Sequence, residues 1–113
     1  MLLIRNEQMK IFKTELLETF IKKTQAHIHE VFEEQIMDKT EEDIREIIQN
    51  GIEKARGYEI REEQAVVLFI DLIIGIGPDF EEQKPNKWMI SILEREDMIA
   101  QEKMDFIYAR LSE

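Results

Sequence analysis

A chain of 113 residues has material for one hydrophobic core, so a single domain spanning residues 1–113 is expected. Hydrophobic residues make up 43% and charged residues 35%, enough apolar surface to offset the chain entropy that keeps more polar sequences disordered. Twenty-five acidic against fifteen basic residues give a formal charge of -10, which repels phosphate backbones and anionic lipid and argues against a nucleic-acid or membrane partner.

The opening Met1-Leu2-Leu3-Ile4 is broken at once by Arg5, Asn6 and Glu7, so no signal peptide is expected and the reading is a cytoplasmic protein. After that short extended start, Asn6 can cap a first helix running to about Phe32. Met9, Phe12, Leu16, Phe20, Ile28 and Val31 fall on one stripe, with Leu17 and Ile21 beside it. Lys10, Lys13, Lys22 and Lys23 alternate with Glu15, Glu18 and Glu30, the pattern of a solvated face. Glu33 to Lys39 reads as a connection. Thr40 followed by Glu41, Glu42 and Asp43 then predicts a second helix, a hydroxyl cap with acids at the positive end of the dipole. Its buried stripe is Ile44, Ile47, Ile48, Gly51, Ile52 and Ala55, where Gly51 lets a neighbouring helix approach closely. Gly57 serves as its C-terminal residue.

A third helix, from near Arg61 through Val66 to Ile74, is apolar nearly all round and is expected to be the central element. The run from Ala65 to Ile76 contains Asp71 and is far shorter than the about twenty residues of a membrane span. Gly75, Gly77 and Pro78 end this helix, and an acidic loop follows from Asp79 to Lys84. Pro85-Asn86-Lys87-Trp88 opens a short fourth helix carrying Ile92 and Leu93. Met98, Ile99, Ala100, Met104, Ile107, Tyr108 and Leu111 recur at helical spacing, a fifth helix closing over the core. The fold class is therefore all-α, a bundle of about five helices. An exposed part of the last stripe could also pair two copies about a two-fold axis, a homodimer.

No site chemistry is legible in the motifs. The absence of cysteine removes disulfides, thiolate metal sites and thiol nucleophiles together. His27 and His29 point about 200 degrees apart on a helix and cannot share a metal, so neither a metal nor a cofactor is expected. Ser91 and Ser112 lack the surroundings of a nucleophile. Asp71 and Asp79 form the one carboxylate pair in apolar surroundings, and they carry the enzyme alternative. Asp71 interrupts an apolar helix, so it either shares a solvent-reaching face with Gln64, Gly75 and Pro78 or pairs with a distant Arg45, Arg56 or Arg95. Otherwise it is a polar anchor for an incoming peptide or for the Gly77 to Phe80 turn. Phe80 and Trp88 flank the polar loop that begins at Gly77, and each reads as core or as a contact residue for a protein partner.

The residues Gly51-Ile52-Glu53-Lys54-Ala55-Arg56-Gly57-Tyr58-Glu59-Ile60, then Phe69-Ile70-Asp71-Leu72, Gly77-Pro78-Asp79-Phe80, Trp88 and Ile92-Leu93 form an unusual ordered set. This set resembles a family of small helical proteins encoded beside bacterial type VI secretion effectors and their PAAR-type spike proteins. In this chain the glycine precedes Tyr58, the reverse of the family order. The resemblance implies no enzyme activity. It implies an adaptor or chaperone that binds a secreted effector or spike protein, with an immunity protein neutralising a cognate toxin as the alternative. Asp71, Asp79, Phe80 and Trp88 would then supply the contact, and Gly51, Gly57, Gly77 and Pro78 the structure.

Overall fold

The computed structural model describes residues 2–77 and 79–113, and the side chains within 16–77 and 79–113. Its helices are α1 (Leu2–Val31), α2 (Glu41–Gly57), α3 (Glu63–Ile76), α4 (Lys87–Leu93) and α5 (Ala100–Leu111). No strand occurs among the described residues. The protein is a small all-α bundle, as the periodicity predicts.

The start of α1 departs from expectation. The helix begins at Leu2, so Asn6 lies inside it and is not its cap. Leu2, Leu3, Glu7, Gln8, Met9 and Lys10 are good helix formers, and their summed propensity outweighs one capping residue. Further along, Phe20, Ile21 and Ile28 are buried as expected, but Leu16, Leu17 and Val31 are 58%, 41% and 54% exposed. Length accounts for this. At about 1.5 Å per residue a helix of 30 residues is roughly twice as long as those of 17 and 14 residues that pack against it, so its flanks outrun the core. The side chains of Met9 and Phe12 lie outside the described residues.

Thr40 and Asp43 close α2 with a reciprocal capping box. The Thr40 hydroxyl accepts from the Asp43 N–H at 3.1 Å, and the Asp43 carboxylate accepts from the Thr40 N–H at 3.0 Å. Ile44, Ile48, Gly51 and Ala55 form its buried face. A Cβ on Gly51 would sit 2.8 Å from Cγ1 of the fully buried Ile70, so the missing side chain sets how near α2 comes to α3. Gly57 is the last residue of α2, as expected, but nothing lies within 4 Å of where its Cβ would be. The turn after α2 instead passes through Glu59 at φ 62, with the Tyr58 and Ile60 N–H groups both donating to the Ala55 carbonyl.

Helix α3 packs against α1, α2 and α5, which makes it the central element. Ala65, Val66, Phe69, Ile70, Leu72 and Ile73 are buried, and each large side chain among them contributes about 2 kcal/mol of apolar transfer. Gly75 belongs to the helix, which ends at Gly77 with φ 130, a conformation open to glycine and strained for other residues. Pro78 lies outside the described residues. The expected acidic loop is instead two 3₁₀ turns, Phe80–Glu82 and Lys84–Asn86, joined by Gln83. Buried Asn86 holds them together by donating to the Phe80 carbonyl and to the Gln83 side chain, each at 3.1 Å.

Candidate functional site

Two apolar helical stripes meet along α1 and α3, and each carries a polar interruption. On α1, Thr24 and His27 continue the row begun by Phe20. On α3, Asp71 follows Val67 and Leu68 by one turn. The interruptions meet: the His27 Nε2 lies 2.9 Å from both Asp71 oxygens, joining helices 44 residues apart in the chain. Nε2–H donates to that carboxylate whether or not the ring carries a second proton. Asp71 therefore pairs with a histidine and not with Arg45, Arg56 or Arg95. Arg45 instead reaches Glu18, and Arg95 takes Asp97.

Around this pair lies an open groove of about 460 Å³. Val67, Leu68 and Gln64 form its floor, Phe20 and Thr24 its apolar wall, and Lys23 and Glu63 reach its edge. So Asp71 does share a face with Gln64, although it is largely covered. On the far side Tyr108 of α5 donates its hydroxyl to the Leu68 carbonyl at 2.6 Å. Burial, then the Asp71 charge, pushes that phenol upward, so Tyr108 stays neutral.

Burial also raises the Asp71 carboxyl above its ordinary range, and the hydrogen bond and charge of His27 recover only part of the shift. A carboxyl with a raised folded pKa binds its proton more tightly in the native than in the unfolded chain. Stability from this group is therefore full below the unfolded value of about 4 and is lost as pH rises through the folded value. Asp71→Asn keeps an oxygen for His27 and removes the charge. We expect it to raise the melting temperature at pH 7 to 8, with the gain shrinking toward pH 3. A variant that melts lower than the parent at pH 7 would show that His27 outweighs the burial.

The remaining candidates fall elsewhere. Asp79 bonds to Gln83 beyond the end of α3, and at about 1.5 Å per residue roughly 9 Å of helix separate Asp71 from Gly77. The two carboxylates are not brought together. Phe80 is 0% exposed, with its ring edge-on to Phe69, so it belongs to the core and presents no contact surface. Trp88 is half-buried beneath the Arg110 guanidinium, 4.5 Å from its ring centre. Glu81 ties the first 3₁₀ turn to α2 by accepting from the Tyr58 hydroxyl and from Lys54 at 2.7 Å. Burial opposes its ionisation, but those two partners hold its carboxyl below the usual range.

The groove holds a His-Asp pair, and the one hydroxyl among its described lining residues is engaged elsewhere. The Thr24 hydroxyl is buried and donates to the Phe20 carbonyl at 2.7 Å, while Ser91 and Ser112 donate to their own helices. No group of three or more metal-ligating side chains occurs among the described residues. His29 bonds Glu41 and so is engaged apart from His27. What the groove offers is apolar contact area, one imidazole oriented by a carboxylate, and the polar ends of Lys23, Glu63 and Gln64.

No family model, no curated protein and no solved structure matches this chain. Among the described residues no helix is long and apolar enough to cross a membrane. Sequence reasoning missed both the His27–Asp71 pair and the buried Lys103. The available signal was a polar residue on an otherwise apolar stripe, which is where two elements meet through a hydrogen bond.

Proposed function

We propose that this chain is a non-enzymatic protein-binding accessory, an adaptor or chaperone for a type VI secretion effector or spike protein in the producing cell's cytoplasm. The observation that carries this reading is the open α1–α3 groove, whose Asp71 carboxylate is kept at a cost to stability. Perturbed polar groups in concave sites point to recognition or chemistry, and the engagement of the one lining hydroxyl elsewhere favours recognition. Exposed Leu16 and Leu17 extend the apolar face of α1 N-terminal to the groove. The motif resemblance supplies the partner class, and a net charge of -10 suits a basic partner surface.

The contact surface in this reading is the groove and not the Gly77 to Trp88 segment. Val67, half-buried on its floor, is the residue to change. Val67→Arg is expected to weaken capture of the co-encoded effector or spike protein about thirtyfold, the effect of losing a central contact of about 2 kcal/mol, while circular dichroism reports an intact fold. Undiminished capture by the folded variant would eliminate the groove. The acidic charge also favours an immunity protein covering a nuclease site. Co-expression separates the two roles: an immunity protein rescues a cell poisoned by the toxin, whereas an adaptor alters the amount secreted.

A further inference from the structure

A second concavity lies between the C-terminal half of α3, α2 and the turn that precedes α2. It encloses about 270 Å³, just under the usual range for sites that take small organic ligands. Its walls are Ile47, Ile73 and Ile74, with Ile36 at one end. Its polar groups are cationic or neutral: the Lys39 and Lys54 ammoniums and the Gln35 and Asn50 amides. No carboxylate lines it, although acids outnumber bases by 25 to 15 in the chain as a whole. Glu81 reaches Lys54 from outside, at 2.7 Å.

We propose that this cleft binds a small aliphatic carboxylate, such as a medium-chain fatty acid, with its tail against the isoleucines and its headgroup between Lys39 and Asn50. The apolar walls supply burial of the chain. The positive rim selects the sign of the headgroup, because an ammonium donating to a carboxylate makes a charge-assisted bond that a cationic headgroup cannot replace. Lys54 is engaged by Glu81, so the Lys39 ammonium supplies the selecting charge. This site is separate from the α1–α3 groove and does not depend on the function proposed for it.

The probe is sodium decanoate, titrated into the whole chain and followed by backbone amide shifts, with decyltrimethylammonium and acetate run alongside. Saturable shifts at Ile47, Asn50 and Ile74 with decanoate, and none with the other two, are expected. Lys39→Glu, a change at an exposed position that leaves the core untouched, should weaken decanoate about tenfold. Ile74→Trp should abolish binding by filling the cleft. Equal response to the cationic amphiphile, shifts centred on Val67 and His27, an unaltered affinity in Lys39→Glu, or no saturation would each overturn the proposal.

Discussion

Phe80→Ala is expected to lower stability by about 4 kcal/mol, a large share of the 5–15 kcal/mol that such a domain possesses. The ring is completely covered and meets Phe69 edge-on at 6.1 Å between centroids, while Tyr58 meets the other side of that contact at 6.0 Å. Removing it empties a site that the two 3₁₀ turns cannot collapse into, because Asn86 fixes the carbonyl of the same residue. A thermal melt should show a drop of about 15 °C. Partner capture, corrected for the folded fraction, should be unchanged. A variant that keeps its melting temperature but loses its partner would return the interface to the loop.

Lys103→Met should cost about 3 kcal/mol although methionine matches the apolar stem. Lys103 is only 3% exposed, and its ammonium donates to the Leu93 carbonyl at 2.8 Å and the Tyr58 carbonyl at 3.0 Å. These acceptors lie at the ends of α4 and α2, where helix carbonyls lack partners within the helix and the dipole is negative. Two opposing terms compete in the substitution. Removing a buried charge is favourable, but leaving two carbonyls unpaired costs about 1–3 kcal/mol each, and the second effect wins because two charge-assisted hydrogen bonds at helix ends are lost together. Urea unfolding measures the difference. A loss below about 1 kcal/mol would mean that water satisfies the two oxygens.

Local signals in the sequence translate well into local structure. Thr40 to Asp43 names the start of α2 because a capping box is made by residues three apart. Gly51 announces a close approach because only a packing demand justifies glycine on a buried stripe. The centrality of α3 follows from its having no polar face wide enough to meet solvent. What fails is anything decided by relative length or by side chains from distant segments. Leu16 and Val31 sit on the predicted stripe but outrun the neighbours that would cover them. Phe80 looks like a loop aromatic, yet the backbone folds into 3₁₀ turns that tuck it inward. His27 lies 44 residues from Asp71 and Tyr58 lies 45 from Lys103, separations at which periodicity carries no information.

The arrangement of α5 has a consequence for assembly. Helices adjacent in sequence pack on one another through most of the bundle, whereas α5 reaches back across the chain to α3 and to the turn after α2, through Tyr108 and Lys103. A ribosome releases α1 to α4 before α5, so the nascent chain waits for its final fastening while hydrophobic surface on α3 stands bare. During that interval the half-built molecule is open to mispairing with its siblings, and the speed of emergence of those last turns governs how long the hazard persists.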